Sequence, residues 1–384
     1  MRKVCLLGAS GSIGRQTLDV MKKNSKDFEL VSFSVGKQTR RIAGIVKNFD
    51  AVKAICIKDK NKVNYFSKKY PHIRFYSGDD GLLKLINEDV DMVVNALVGF
   101  VGLKPTLYAL EQNKIVCLAN KEALVVGGEL VNKLLADGHG KLYPIDSEHS
   151  AIAKCLLVDN RNVDKIMLTA SGGAFRKLNR EQLKDVNAAD ALKHPTWKMG
   201  NKITIDCATM VNKAFEVIEA HYLFDYPRNK IGITLHDESM VHSYVLYKDK
   251  TLRLDISKPD MRNPIKLALY EFNIPFVTKT AKSLEQLKDY HFHQFDINRY
   301  PMVKYAEKVI KNKGTYGVVF NAANEVAVNA FLSDQISFLT IEDIISKCMS
   351  SHKNIVHPTF EQISEIDQKT RQKASNLVKK WSKA

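Results

Sequence analysis

Long apolar runs are missing. Nowhere do the 384 residues approach the eighteen or so uninterrupted apolar positions that a membrane-crossing helix needs, and the opening Met-Arg-Lys leads into a strand-like segment without a signal-type apolar core. A cytoplasmic protein with no membrane partner is expected. Cysteine is sparse and scattered: Cys5, Cys56, Cys117, Cys155, Cys207 and Cys348 form no Cys-x-x-Cys pair and mostly sit in apolar runs, which argues against a disulfide framework or a zinc site. Internal repeats and low-complexity tracts are also lacking. The net charge is +16, but the lysines are spread along the whole chain and no basic stripe is interleaved with aromatics, so nucleic acid is not the expected partner. A phosphate-bearing ligand suits that charge as well. What is present is ordinary globular material, 45 % hydrophobic and 26 % charged, enough for two or three domains.

Residues 1–146 alternate short β-branched runs (3–7, 30–35, 51–57, 90–97 and 114–119) with helical stretches. That rhythm predicts an α/β fold opening on a Rossmann-like, doubly wound parallel sheet. From 147 to 272 helices are fewer and strands longer, 240–247 and 251–256 being joined by a Lys-Asp-Lys turn, which predicts a central α+β domain. Residues 273–300 lack periodicity and read as a connector. A C-terminal helical domain is expected over 301–384, its last helix announced by Thr359 and Gln362 in capping-box spacing, with Ile363, Ile366, Ala374, Leu377, Val378 and Trp381 on one packing face.

Gly8-Ala9-Ser10-Gly11-Ser12-Ile13-Gly14 follows the first strand directly and opens a helix. Glycines there let the backbone approach a pyrophosphate, whose charge faces the unpaired N–H groups of the helix start. After the second strand, where an NAD enzyme usually places Asp or Glu, stands Gly36-Lys37-Gln38-Thr39-Arg40-Arg41. A carboxylate would repel a 2′-phosphate and a basic cluster attracts it, so NADPH is favoured over NADH.

Asp146-Ser147-Glu148 follows the extended 142–145; if the segment stays extended, both carboxylates share one side and suit Mg²⁺ or Mn²⁺, the alternative being a solvated acidic turn or a helix cap. Asn212, Lys213 and Glu216 share a face of a helical stretch, which suits an anion beside a cation; the alternative is an exposed face with a local ion pair, and for Glu219 that plainer reading is preferred. Between these clusters lie Ser171-Gly172-Gly173, a turn able to offer donors to a phosphate, and His194-Pro195-Thr196-Trp197-Lys198-Met199-Gly200, irregular enough for a substrate lid over 194–202 or for simple loop anchoring by Trp197.

Taken with Ala119-Asn120-Lys121-Glu122, His149, Pro259-Asp260-Met261-Arg262 and Asn321-Ala322-Ala323-Asn324-Glu325, these segments in this order resemble the 1-deoxy-D-xylulose 5-phosphate reductoisomerase family over nearly the whole chain. The resemblance implies an enzyme of the non-mevalonate isoprenoid route that rearranges 1-deoxy-D-xylulose 5-phosphate by retro-aldol cleavage and re-addition, then reduces the aldehyde with NADPH to 2-C-methyl-D-erythritol 4-phosphate. It implies one Mg²⁺ or Mn²⁺ on Asp146, Glu148 and Glu216. Ser171, His194, Asn212 and Lys213 would receive the substrate phosphate, Lys121 and Ser147 its oxygenated carbons. NADPH would meet Ser10, Gly11, Ser12, Ile13, Gly36, Lys37, Gln38, Asn120, Glu122 and Gly200. His194, Trp197 and Met199 would belong to the lid, His242 would lie near the site, and the chain would form a homodimer.

The sequence departs from the family pattern at Cys207, which replaces a serine near the phosphate, and at Ala174, Ala214 and Asp237, which replace proline, glycine and proline. Two other classes compete. Another NADP-dependent Rossmann oxidoreductase, such as a semialdehyde dehydrogenase, would need a nucleophilic Cys207 or Cys155 and would survive metal chelation. A non-catalytic basic binding protein on the same fold would bind nucleic acid with strong salt dependence.

Overall fold

The computed structural model describes residues 1–193, 199–274 and 290–382. Its chain divides into two compact units. One comprises Met1–Asp146 with Met261–Glu271, the other residues 147–260 with the described residues from Phe272 on.

The first unit is built on β1 (Arg2–Leu7), β2 (Phe28–Val35), β3 (Ala54–Ile57), β4 (Arg74–Ser77), β5 (Met92–Asn95), β6 (Ile115–Leu118) and β7 (Lys141–Pro144). All seven pair in parallel, in the order β4-β3-β2-β1-β5-β6-β7. A parallel strand covered on both faces must be apolar along its length, which is why the central strands read as unbroken hydrophobic runs. The expected doubly wound sheet is therefore present, and its order reverses between β1 and β5, the place where such sheets bind ligands.

The helix Arg262–Leu269 returns to this unit from far along the chain, and its Ile265, Ala268 and Leu269 enter the same core as Val4, Leu6, Leu30 and Phe33. Polar ties hold its end. The Tyr270 hydroxyl donates to Asp27 Oδ2 at 2.5 Å, and buried Glu271 pairs with Arg2 and accepts from the Tyr143 hydroxyl at 3.2 Å. The expected division at residue 272 thus falls just beyond a segment that packs with the first unit.

The second unit carries β8 (Val163–Ala170), β9 (Ile231–Leu235), β10 (Val241–Tyr247), β11 (Leu252–Ile256) and β12 (His293–Gln294) in the order β11-β10-β8-β9-β12. Only β8 and β9 are parallel; the other pairs are antiparallel. The helices Lys304–Asn312, Tyr316–Leu332, Phe338–Ser350 and Phe360–Trp381 belong to this unit too, Phe320 meeting Phe215 edge-on at 5.0 Å. Thr359 and Gln362 form the expected reciprocal cap, and Ile363, Ala374 and Val378 are buried along the last helix. Among the described residues, no helix is long and apolar enough to cross a membrane.

Candidate active site

In the first unit, the turn between β1 and the helix Ser12–Lys23 is tight because its glycines leave room. A Cβ on Gly8 would lie 2.5 Å from the Ala96 carbonyl oxygen, and one on Gly14 would lie 2.3 Å from that of Gly8. Gly11 begins the helix with no side-chain cap, and the first turn has no acidic residue. The helix start is thus free to face an anion at the carboxyl end of β1. Ser34 on β2 accepts from the Gly8 N–H at 2.8 Å and braces the turn. Past the end of β2, Lys37, Gln38 and Arg40 are exposed, with Gln38 Oε1 accepting from Arg41 Nε at 2.9 Å. These features fit a phosphorylated dinucleotide.

Asn120 is almost fully buried. Its side chain caps the helix Lys121–Ala136 through the Ala123 N–H, and donates to the carbonyls of Leu97 (3.1 Å) and Gly99 (3.0 Å) and to Glu122. The structure therefore gives Asn120 and Glu122 the task of holding the loop after β5. That loop exposes Val98 and Val101, two apolar positions that the sequence reading passed over because each stands alone beside glycine.

Lys121 Nζ lies 2.7 Å from Asp146 Oδ2, both side chains being about nine-tenths buried. Asp146 closes the first unit, and a helix, Ser147–Val158, begins at the next residue. The segment therefore does not stay extended, and the condition under which strand alternation would put both carboxylates on one side is not met. His149, Ala151, Ile152 and Cys155 are buried at helical spacing, and that burial sets the local conformation instead of strand alternation.

Glu148 finds its partners on the helix Val211–Phe224, which is buried from Val211 through Ala220. Lys213 Nζ lies 3.1 Å from Glu148 Oε1, pairs with Glu216 and donates to the Thr169 carbonyl at the end of β8. Asn212 Nδ2 donates to Glu216 Oε1 at 2.5 Å. Oxygens of Glu148 and Glu216 come within 4.8 Å of each other. Such hard, anionic oxygen donors fit Mg²⁺ or Mn²⁺ and not a soft ion.

Glu219 is 1 % exposed and not on a solvated face: its Oε2 lies 3.3 Å from His149 Nδ1, while His149 Nε2 donates to the Glu216 carbonyl at 2.9 Å. The plainer reading of Glu219 is thus corrected. A second helix, arriving about seventy residues earlier in the chain, covers the face that looked free.

Beyond β8, Ser171-Gly172-Gly173 lies against the end of the helix Asn201–Thr209; a Cβ on Gly173 would sit 2.6 Å from the Cys207 carbonyl oxygen. Cys207 is partly exposed, unlike the other five cysteines. Met210, in the left-handed region, bends the chain from this helix into the one bearing Asn212 and Lys213. Gly200 begins the first of the two helices and is exposed.

His242 is buried on β10, its Nε2 donating to the Ser257 carbonyl at 3.1 Å; burial lowers its pKa from the ordinary 6.5, so the ring is neutral near pH 7. Burial pushes the Cys155 thiol up to about 12, which removes it as a nucleophile near neutral pH. His194 and Trp197 lie outside the described residues.

A doubly wound sheet with a glycine-rich turn at its switch point, joined to a unit with buried hard-ligand carboxylates and a lysine, is the plan of a nucleotide-dependent oxidoreductase with separate cofactor and substrate units. Comparison with known proteins narrows this. Family models described as 1-deoxy-D-xylulose 5-phosphate reductoisomerase match residues 4–128, and models of its C-terminal domains match 142–224 and 256–373. The chain is 43 % identical over 374 residues to the 1-deoxy-D-xylulose 5-phosphate reductoisomerase of Bacillus cereus (strain AH187), covering 97 % of this chain and 98 % of that one. It is likewise 43 % identical over 385 residues to that of Bacillus subtilis (strain 168), covering 98 % and 100 %. A solved DOX-P reductoisomerase in complex with NADPH, fosmidomycin and magnesium superposes with TM-score 0.89 at 33 % identity, covering 99 % and 98 % of the two chains. The Zymomonas mobilis enzyme in complex with NADPH superposes with TM-score 0.88 at 34 % identity, covering 98 % and 99 %. The chain belongs to the 1-deoxy-D-xylulose 5-phosphate reductoisomerase family.

Proposed function

We propose that the protein converts 1-deoxy-D-xylulose 5-phosphate into 2-C-methyl-D-erythritol 4-phosphate, by cleavage and re-formation of a carbon–carbon bond and then reduction of the aldehyde, for non-mevalonate isoprenoid synthesis. When bound, one Mg²⁺ or Mn²⁺ supplies polarisation of the substrate's carbonyl and neighbouring hydroxyl oxygens, and NADPH supplies the hydride. The observation that carries this proposal is the arrangement of buried Lys213 and Glu216 with the partly buried Glu148. Ionised groups withdrawn from water together are costly, and a charged ligand offsets that cost.

Asp146, Glu148 and Glu216 are the protein's ligands to the cation. Lys121, its ammonium held on Asp146, and Ser147 donate to the oxygens of the reacting carbons. Ser171, His194, Asn212, Lys213 and Cys207 donate to the phosphate, with Trp197 covering the substrate and His242 serving as a neutral donor beside it. On the cofactor, Ser10, Gly11, Ser12 and Ile13 hold the pyrophosphate, and Gly36, Lys37 and Gln38 take the 2′-phosphate. Asn120, Glu122 and Gly200 complete that site.

The test is to follow NADPH absorbance with 1-deoxy-D-xylulose 5-phosphate, with and without Mn²⁺. Oxidation that needs both is expected. Oxidation that persists after chelation would refute the metal role and favour a cysteine-based dehydrogenase.

The cysteines, scattered and mostly buried, suit a reducing cytoplasm. We also infer a homodimer. The edge strand β11 leaves Leu252, Leu254 and Ile256 exposed on one side, and Leu157 and Val158 are exposed on the helix that packs beside it. A second copy would cover such an edge; a monomeric mass at all working concentrations would rule it out.

A further inference from the structure

A loop can orient a phosphate only if its own backbone is held. Residues 171–173 belong to no helix or strand, and the loop they open, which runs on through Leu178, is tied to a segment more than a hundred residues later. The Arg299 guanidinium donates from Nε to the Leu178 carbonyl at 2.9 Å and from Nη2 to the Phe175 carbonyl at 3.0 Å. The Tyr300 hydroxyl reaches the Gly172 carbonyl at 3.4 Å, a long bond, and burial raises its pKa so that it keeps its proton at neutral pH. Arg180 closes the ring: it donates to both oxygens of buried Glu342, at 3.3 and 2.6 Å, and to the Arg299 carbonyl at 3.3 Å. The Arg299 guanidinium lies 4.7 Å from the centre of the Tyr300 ring, and Phe175 meets Phe338 edge-on at 5.0 Å.

Peptide geometry passes this restraint to the site. The Gly172 carbonyl and the Gly173 N–H belong to one trans peptide and point in opposite directions. With the carbonyl held toward Tyr300, the N–H is directed at Ser171 Oγ, which accepts it at 3.4 Å. The Ser171 hydroxyl therefore stands at the end of a chain of contacts that runs from Tyr300 through the Gly172–Gly173 peptide, in a loop whose far end Arg299 holds.

We propose that Arg299 and Tyr300 are positioning residues for the sugar phosphate, acting through Ser171-Gly172-Gly173 without touching the substrate. The proposal rests on the phosphate role given above to Ser171. A planar guanidinium can serve two carbonyls of the loop at once through a rigid fork, whereas the point-like ammonium of lysine keeps the charge but not that geometry.

The experiment is steady-state kinetics on the full-length protein for Ser171→Ala, Arg299→Lys, Tyr300→Phe and the Ser171→Ala/Arg299→Lys double variant. Arg299→Lys should raise KM for the sugar phosphate about tenfold, the factor expected for one lost hydrogen bond of ordinary strength, and Tyr300→Phe about twofold to threefold, its bond being long. KM for NADPH should stay unchanged. In the Ser171→Ala background, Arg299→Lys should add little, since the group it positions is gone. Fully additive effects, or an equal rise in both KM values, would overturn the proposal, because a general structural role predicts them. A raised KM in Ser171→Ala beside an unchanged one in Arg299→Lys would overturn it alone, whereas an unchanged KM in Ser171→Ala would remove the phosphate role of the loop as well. If Arg299→Lys does not fold, Tyr300→Phe, which deletes a single oxygen, carries the same comparison with its own double variant.

Discussion

Replacing Glu216 with glutamine keeps the side chain's shape and removes one of the three carboxylates proposed for the cation. The buried side chain accepts from Asn212 and pairs with Lys213, and Lys213 keeps Glu148 and the Thr169 carbonyl as partners after the change. The fold should survive. Removing an outer-shell partner of a metal ligand typically costs about 10- to 100-fold in affinity or activity, so a direct ligand should cost at least about 100-fold. That loss has a thermodynamic counterpart. At a Mn²⁺ concentration of about 100 times the Kd, the unmodified protein gains about 2.7 kcal/mol from binding; with affinity 100-fold weaker, the same concentration yields only about 0.4 kcal/mol. Thermal unfolding of both proteins with and without Mn²⁺, read beside NADPH oxidation, measures the difference. A Glu216→Gln protein that keeps the full Mn²⁺-induced shift in Tm would refute Glu216 as a ligand.

Lys37→Glu should erode or reverse a preference for NADPH over NADH, because it places a carboxylate where the 2′-phosphate is proposed to lie; equal catalytic efficiency with both cofactors in the unmodified protein would refute the assignment. Cys207→Ser should lower KM for the sugar phosphate several-fold and leave KM for NADPH alone, since a hydroxyl donates better than a thiol and a hydrogen bond to a charged partner is worth about 1.5–3 kcal/mol. An unchanged KM would count against a place for Cys207 at the phosphate. His242 is held below its ordinary pKa of 6.5 by burial, so the unfolded chain binds its proton first as pH falls. Its contribution to stability should be level above about pH 6.5 and decline as pH falls from there toward the folded pKa. In denaturant titrations across that window, His242→Gln should flatten part of the slope; an unchanged slope would exclude the histidine as its source.

The central strands could be read from sequence because a strand buried on both faces leaves an unbroken apolar run, as in β1 and β2. Edge strands leave weaker marks. β4 is four residues long with Arg74 exposed and Phe75 its one buried residue, and β9 carries a glycine, so neither stood out. In the site, Glu148, Lys213 and Glu216 were picked out by residue type and by family pattern, but not the geometry that joins them. Strand alternation was invoked for Asp146-Ser147-Glu148 where a helix starts, and Glu219 looked solvated because nothing near it in sequence announces His149. Arg299 and Tyr300 were passed over for the same reason: their partners are Phe175, Leu178 and Gly172, far back along the chain.

The return of Met261–Glu271 to the first unit also has a consequence for the order of events during synthesis. A chain that has emerged only as far as Asp146 already contains every strand of the parallel sheet but lacks Ile265, Ala268 and Leu269, which complete the core beneath it. At about 5–20 residues per second, the roughly 125 residues still to come take on the order of 6 to 25 s. For that interval the core of the nascent unit lacks the patch that Ile265, Ala268 and Leu269 fill, while the middle of the second unit is being made. The N-terminal unit, first to be translated, therefore cannot finish folding until the chain has emerged as far as Glu271, well into the second unit's sequence.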